Sequence, residues 1–411
     1  MTKKNVRSVL CFALAFVLLF LAADGLLHRE EEYSATWVRI RKGDVPEVLI
    51  LGNSHAFCSF MPEMIRSTLG LDAAVLATSG LNSIGTTDSF ASALSKGTPR
   101  LIIVEANAYS FDYESTALYH KASALSNING MPGLLNRIRC AWREFGYESI
   151  PQGAYQLLCA DLMWKRWRGG EAATDADGSS LLQWHATGSY DAHQAQAEAE
   201  AMWQQSLQTG GAAMDKWQFD LRDLAQFDRL LRLAQERGVQ VALVKAPTTA
   251  AGQYGCDYLN YLDLTAQQYG EIYLGLHDFH LDVEAMDLQA ADFYDSSHLS
   301  RSGAARFTRA FCLWLGDRLG LQCDLDRAAL YAGERVMPSA DGLWRYEAAS
   351  TGASVQYRFL LDGAVAQDWS EANAAELSID PSQAQRVSVA IRQGDEERSF
   401  AFMGTNACVL N

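Results

Sequence analysis

The sequence predicts an α/β protein built on a parallel sheet. Three short apolar runs, at 48–51, 101–104 and 239–244, predict its buried strands. Strands that are buried on both faces are continuously apolar, whereas strands with one solvated face alternate. Because helical segments lie between the runs, strand and helix alternate along the chain, which is typical of a parallel sheet flanked by helices.

The segments between the strands have helical periodicity and recognisable ends. We expect helices at 62–70, 88–96 and 219–237, the last with its leucines on one face. Ser302 is expected to cap a final helix with an apolar stripe. A further short strand is expected at 74–77.

A long segment, about 112–218, separates the second strand from the third. It is too long for a simple loop and has helical composition, so we predict a mostly helical insertion near the functional site. Its tryptophans either stack on sugars or fill the insertion's own core. They are Trp142, Trp164, Trp167, Trp184, Trp203 and Trp217.

The pattern changes at the carboxyl-terminal end, about 330–411. Val355, Tyr357 and Phe359 alternate with polar residues, as do later apolar residues, and turn residues separate the runs. This alternation predicts a small antiparallel β module. The module either binds glycan or serves in packing and spacing.

The N-terminus carries an apolar run from Val9 to Ala23, preceded by Lys3, Lys4 and Arg7. A membrane-spanning helix needs roughly 20 mostly apolar residues, and about 17 can suffice. Positive charge ahead of the run places that end in the cytoplasm.

We therefore expect residues 1–27 to be a single-pass membrane anchor, 28–45 a stalk, and 46–329 a catalytic domain outside the cytoplasm. A signal peptide cleaved near 21–23 is the alternative, and it also exports the rest. A buried N-terminal helix of a cytosolic protein is the third interpretation.

Composition limits the partners. The formal net charge of −15 argues against nucleic acid, which needs clustered lysine and arginine. Eight cysteines occur without zinc-ligand spacing, so no metal is expected, and both disulfides and free thiols stay open.

Ser54 is the candidate nucleophile. It follows the first strand directly, within the block Gly52-Asn53-Ser54-His55. In open α/β sheets, ligands bind beyond the carboxyl ends of the strands. A serine at the start of a helical turn also offers its backbone N–H to developing negative charge. An ordinary turn serine is the alternative.

Asp295 and His298 lie just before the last predicted helix. A serine nucleophile needs a base within hydrogen-bond reach, and the base needs an orienting carboxylate. A three-residue spacing on a tight turn lets the carboxylate meet one imidazole nitrogen while the other faces Ser54. By itself the pair also fits a surface turn or half of a metal site. Combined with Ser54, it predicts a catalytic triad.

With these two blocks, the chain resembles the SGNH/GDSL hydrolase superfamily over 45–111 and 219–320. Asn53 stands where the common first block has aspartate. Membrane-anchored members of the kind that serve teichoic-acid D-alanylation and alginate O-acetylation resemble it more closely. The resemblance implies a three-layer α/β/α fold and acyl-ester chemistry.

The family also uses a glycine and an asparagine to hold the oxyanion. The resemblance maps the glycine onto Gly80 and the asparagine onto Asn107, with Asn82 as a competitor. The family context around the asparagine is absent here, and a loop cap is the other role open to Asn107. His55, Asn82 and Lys245 are further candidates for substrate contact. The alternative is a structural hydrogen bond for His55 and an ion pair for Lys245.

These residues predict an acyl-serine enzyme that needs no cofactor. Transfer and hydrolysis differ only in the acceptor, so two activities on a cell-surface polysaccharide remain open. One is O-acyl transfer, with acetyl as the expected group, and the other is ester hydrolysis. By resemblance, a multispanning membrane acyltransferase is an expected partner. The competing hypothesis is a catalytically silent glycan-binding or cell-envelope assembly protein.

Overall fold

The structure of the chain is a computed structural model. It describes residues 3–27, 35–110, 121–155, 221–248, 257–282, 285–288, 292–293, 298–323, 332–339, 343–350, 354–379 and 387–401.

A five-stranded parallel sheet forms the centre of the fold. Its strands are β1 (Val48–Gly52), β2 (Ala73–Ala77), β3 (Leu101–Glu105), β4 (Gln240–Lys245) and β5 (Tyr273–Asp278). Their order across the sheet is β2-β1-β3-β4-β5, and all four neighbouring pairs are parallel. The loops after β1, β2 and β3 therefore leave the same edge side by side.

Helices surround this sheet. Those of the described residues are α1 (Lys3–Leu27), α2 (Ala35–Arg41), α3 (Ser54–Ser59), α4 (Pro62–Leu69), α5 (Ser83–Ala93), α6 (Lys121–Gly130), α7 (Leu134–Phe145), α8 (Ile150–Ala154), α9 (Leu221–Arg237), α10 (Asp257–Gln267) and α11 (Arg301–Leu319). Short 3-10 helices lie at Ala106–Tyr109, Tyr147–Ser149 and Phe279–Asp282.

Alternate residues of each strand feed two separate apolar cores. Ile50 of β1 packs with Phe60 and Phe307, from the α3–α4 junction and α11. Leu49 and its neighbours on the other face pack against α2, α5, α9 and α10. Because helices cover both faces, the strands are buried on both sides, which explains their continuous apolar character. The α/β prediction is confirmed.

Three local predictions need correction. Strand β5 was missed, because its residues are only half-buried at the sheet edge and include polar ones. Helix α5 begins at Ser83, not at 88, because the Asn82 side chain caps it by accepting a hydrogen bond from Gly85 N–H. Ser300, not Ser302, caps α11 through Gly303 N–H.

The predicted stalk at 28–45 is wrong over its second half. Residues 35–41 form α2, and Trp37 is only 2% exposed. Trp37 Nε1 donates to Asn127 Oδ1 at 2.8 Å, and Thr36 Oγ1 donates to the Val75 carbonyl at 2.7 Å. The polar and charged composition of 28–45 suggested a stalk, but burial of the apolar face of α2 makes this helix part of the α/β domain.

The described part of the predicted insertion, 121–155, is helical as expected. Helices α6 and α7 pack onto the core beside α5, α6 through Leu125 and Ile128 and α7 through Cys140 and Ala141. Trp142 is 58% exposed, so it does not fill an insertion core. The other five tryptophans of this segment lie outside the described residues.

The carboxyl-terminal module consists of two antiparallel sheets, which agrees with the predicted antiparallel β module. One contains β6 (Ala332–Pro338), β7 (Trp344–Ser350) and β10 (Ala374–Leu377). The other contains β8 (Gln356–Leu361), β9 (Ala364–Ser370), β11 (Val387–Gln393) and β12 (Glu396–Ala401). Tyr357, Phe359 and Val389 point into a common core, which accounts for the period-two pattern.

On the other side of that second sheet, Trp369 is half-buried between two arginines. The guanidinium carbons of Arg358 and Arg392 lie 4.8 and 4.3 Å from its ring centroid. Arginine stacks readily on indole because the ring faces carry negative charge density.

Within the described ranges, no helix combines the length and apolar character needed to cross a membrane. Cys11, Cys140, Cys312 and Cys323 are free thiols, and Cys58 is buried in the core. The remaining three cysteines lie outside the described residues.

Candidate active site

Ser54 is the first residue of α3, directly beyond the carboxyl end of β1. Asn53 caps this helix, with its Oδ1 accepting from His55 N–H at 3.1 Å. Gly52 has a φ of 154°, and a Cβ there would lie 2.9 Å from Ala56 Cβ and 3.0 Å from Glu105 Cβ. Only glycine permits this close turn, so the strand can end and present Ser54 at once.

His298 lies against the candidate nucleophile. Its Nε2 is 2.8 Å from Ser54 Oγ, although the two residues are 244 positions apart in the chain. This distance is normal for a hydrogen bond between a hydroxyl and an imidazole. The fold therefore brings together two of the three residues predicted for the triad. Asp295, the third, lies outside the described residues.

The segments that carry Ser54 and His298 are fastened to each other. Thr308 Oγ1, on α11, donates to the Ser59 carbonyl and accepts from Met61 N–H, both at 3.1 Å. Phe60 lies between Ser59 and Met61 in the chain. Its ring centroid is 5.0 Å from that of Phe307, and the two rings meet edge to face. Aromatic pairs of this geometry add about 0.5–1.5 kcal/mol beyond area burial. These hydrogen bonds and ring contacts fix the position of α3 relative to α11.

A short bridge closes the loop that holds His298. Phe293 and Leu299 pair as an isolated antiparallel bridge, and Ser300 N–H donates to the Asp292 carbonyl at 2.8 Å. Gly303 lies under this loop, where a Cβ would approach the Asp292 carbonyl to 2.1 Å. The loop is thereby fixed at both ends on the start of α11.

Gly80 lies in the loop after β2, next to β1 in the sheet. Its φ of 63° is in the left-handed region, where glycine has no steric penalty. Register pairing of Gly52 with Ala77 places the loops after β1 and β2 beside each other. The candidate oxyanion glycine thus follows the strand adjacent to the nucleophile strand.

Three buried asparagines follow the neighbouring strands β1, β2 and β3. Asn53, Asn82 and Asn107 each have the Oδ1 atom held by a donor, which is His55 N–H, Gly85 N–H and Ser110 Oγ respectively. The Nδ2 atom of each is buried and has no hydrogen-bond partner among the described residues. Buried donors of this kind are uncommon and cost free energy until an acceptor meets them.

His55 is buried beside His298, with ring centroids 5.2 Å apart. Burial, and then the positive charges of Lys245 and of His298 when protonated, hold the pKa of His55 well below its usual value. A neutral His55 does not repel an imidazolium at His298. This favours a positioning or packing role for His55 beside His298.

Lys245 ends β4 and is 2% exposed. Its Nζ lies 3.9 Å from Glu105 Oε1 and 3.5 Å from Asn107 Oδ1. The structure thus has the buried ion pair that was one of the two alternatives for this lysine. Such a pair needs additional hydrogen bonds to offset the loss of hydration.

Glu105 is the residue near the site that the sequence argument did not single out. It ends the apolar strand β3, and burial raises the pKa of its carboxyl group while Lys245 opposes the shift. The signal was available, because a charged residue directly after Leu101–Val104 is unusual in a buried strand. Its partner could not be read from the sequence, since Lys245 is 140 residues away.

Comparison of the chain with protein-family models gives no match, and a search among curated proteins gives none either. The class of the protein is therefore defined by its own architecture. It is an α/β protein with a five-stranded parallel sheet, a small antiparallel module, and a serine and a histidine in contact at the carboxyl edge of the sheet.

Proposed function

We propose that this protein is a serine acyl-ester enzyme of the SGNH type, acting outside the cytoplasm on a cell-surface polysaccharide. The observation that carries the proposal is the 2.8 Å distance between Ser54 Oγ and His298 Nε2. A hydroxyl in contact with an imidazole is the minimal arrangement for a nucleophile activated by a general base.

In the first step, Ser54 Oγ attacks the acyl carbonyl as its proton passes to His298 Nε2. The charge of the tetrahedral intermediate is held by the backbone N–H groups of Ser54 and Gly80 and by the amide of Asn107. Ser54 N–H has no intrahelical acceptor because it is in the first turn of α3. Donors of this kind, aimed at charge that develops during reaction, contribute much of the rate enhancement in acyl transfer.

In the second half of the first step, the C–O bond to the leaving alcohol breaks and His298 returns its proton to that oxygen. The product is an ester of the acyl group with Ser54. A sugar hydroxyl or a water molecule then attacks this ester, with His298 again as the base. On the sequence pattern, Asp295 orients His298 and offsets the imidazolium charge.

The proposed location outside the cytoplasm rests on the N-terminal segment. Lys3, Lys4 and Arg7 precede the apolar run, and the described side chains of α1 are largely exposed in the folded chain. Exposed apolar surface costs about 25 cal/mol per Å² in water, so a lipid or protein environment would stabilise it. Residues 1–27 are therefore proposed as an anchor.

The test uses the purified protein with p-nitrophenyl acetate as a small ester. Ser54→Ala and His298→Ala are expected to lower turnover by several powers of ten while leaving the far-ultraviolet circular dichroism spectrum unchanged. His277→Ala is the matched control, because His277 contacts Asp282 Oδ2 at 2.5 Å and is not part of the proposed mechanism. Near-native turnover in either active-site variant would contradict the assignment.

Transfer and hydrolysis are separated by the acceptor. Mass spectrometry of the surface polysaccharide, from cells with the wild-type protein and with Ser54→Ala, gives its acyl content. Loss of acyl groups in the variant indicates a transferase, and gain of acyl groups indicates an esterase. An unchanged polysaccharide, together with no ester turnover by the wild type, would favour a catalytically silent glycan-binding protein.

A further inference from the structure

Strand β4 ends in a buried lysine that the proposed mechanism does not use. Lys245 Nζ lies between Glu105 Oε1, at 3.9 Å, and Asn107 Oδ1, at 3.5 Å. Asp278, its register partner on β5, adds a second negative charge nearby. These two carboxylates oppose the loss of charge that burial favours for the ammonium group.

Glu105 joins the turns that follow β3 and β4. Its Oε2 accepts from Asn107 N–H at 3.0 Å, and its Oε1 accepts from Ala246 N–H at 3.2 Å. Burial raises the pKa of Glu105 and lowers that of Lys245, and each charge opposes the shift of the other. Backbone and side chain of Asn107 are thus both tied to this ion pair.

The contact with Lys245 decides which way the Asn107 amide faces. An ammonium group has three donors and no acceptor, so only the amide oxygen can meet it. Ser110 Oγ also donates to that oxygen, at 3.1 Å. A rotated amide would set Nδ2 against the ammonium group. The lysine therefore leaves one orientation, in which Nδ2 points away from Lys245 and has no acceptor among the described residues.

We propose that Lys245 is a positioning residue, whose ammonium group locks the Asn107 amide with its N–H groups available to the oxyanion that forms at Ser54. This rests on the proposed function and assigns to Lys245 a task within it. A lysine with 2% exposure has little surface left to bind a substrate directly. A donor in a fixed orientation stabilises the oxyanion better than a rotating one, since misplacement by about 1 Å can lower the rate about a hundredfold.

The test is a double-mutant cycle on ester turnover. Lys245→Met keeps the length of the side chain and removes the donors. We expect Lys245→Met to lower kcat by about ten- to a hundredfold with little change in KM, because the loss arises in the transition state. Asn107→Ala should lower kcat by about 10²–10³-fold. The combined variant should be no worse than Asn107→Ala alone.

A second variant separates positioning from simple charge neutralisation. Glu105→Gln combined with Lys245→Met removes both charges, so no unpaired charge is left in the core. We expect kcat to stay as low as in Lys245→Met, because the Asn107 amide is still unlocked. Glu144→Gln is the matched control, because it neutralises a buried carboxyl group elsewhere in the fold. It should keep the wild-type kcat.

Three results would overturn the role of Lys245 while the wild type remains active. These are an unchanged kcat in Lys245→Met, full recovery of kcat in the charge-free pair, and multiplicative losses in the cycle. A wild-type protein that neither turns over esters nor reacts with a fluorophosphonate would overturn the proposed function, and with it the role of Lys245.

Discussion

Two asparagines compete for the side-chain donor of the proposed oxyanion hole, and their own hydrogen bonds separate them. Asn82 Oδ1 caps α5 through Gly85 N–H, which is a structural task. Asn107 Oδ1 is held by Ser110 and Lys245, and its side chain caps no helix. The difference favours Asn107 as the donor, in agreement with the family resemblance.

We therefore expect opposite effects from the two alanine variants. Asn107→Ala should lower kcat by about 10²–10³-fold with little loss of stability beyond that of a buried hydrogen bond. Asn82→Ala should lower the free energy of unfolding by about 1 kcal/mol, the usual cost of losing a helix cap, and leave kcat close to wild type. Steady-state kinetics and urea denaturation measure the two effects. A large fall of kcat in Asn82→Ala with normal kcat in Asn107→Ala would reverse the assignment.

Candidate site residues could be picked out from the sequence where residue type and position next to a strand or helix were sufficient. Ser54 after a strand and His298 before a helix were found in this way. The orientation of Asn107 was not, because it depends on Lys245, whose proximity follows only from the order of β3 and β4 in the sheet. Spatial neighbours that are distant in the chain leave no local pattern.

At the scale of elements, the packing of α7 on α5 buries a carboxyl group. Glu144 lies close to Asp88, and the Cys140 thiol donates to its Oε2 at 3.7 Å. Burial, and then the charge of Asp88, raises the pKa of Glu144 from its ordinary 4.5 to about 8. The folded protein consequently holds a proton on Glu144 at pH values where the unfolded chain has lost it.

This predicts a stability that falls as pH rises between 4.5 and about 8. The stabilisation is complete below the unfolded pKa and is lost as pH rises through the folded pKa, because folding takes up a proton in that window. Glu144→Gln keeps a neutral side chain of similar shape. Its Tm should therefore decline less than that of the wild type from about pH 5 to about pH 9. Parallel Tm curves for the two proteins would show that Glu144 ionises normally in the fold.

Elements with a strong apolar signal were predicted well, and those that depend on a neighbour were not. Strands β1, β3 and β4 are buried on both faces and were found, whereas β5 is a half-buried edge strand. The alternation in the carboxyl-terminal module was sufficient because one face of each sheet meets a shared core. Helix α2 was taken for a stalk because seven residues are too few for a periodic pattern.

At the scale of the whole molecule, α2 sets the true beginning of the α/β domain. Trp37 fits against Gly130, where a Cβ would lie 2.5 Å from the indole Cδ1. Ile40 is fully buried in the same core. Removing α2 would open a large cavity and leave the Asn127 carboxamide without the indole N–H that it accepts.

Two truncated chains test this boundary. A chain that starts at residue 35 should fold, stay in solution without detergent and keep ester turnover. A chain that starts at residue 46 should lose at least about 3–5 kcal/mol, the usual cost of removing one large buried aromatic side chain. Thermal denaturation of the two proteins gives the comparison. Equal Tm values would mean that α2 is not part of the domain, as the stalk prediction had it.

The whole account depends on Ser54 being a nucleophile activated by His298. The most direct measurement is covalent labelling by a fluorophosphonate, followed by mass spectrometry of the peptide that contains Ser54. The account predicts one adduct on Ser54 in the wild type and in Ser95→Ala, whose serine is exposed in the turn that follows α5. It predicts no adduct in Ser54→Ala and a labelling rate lower by several powers of ten in His298→Ala. A folded wild-type protein that is not labelled, or one labelled equally fast without His298, would contradict it.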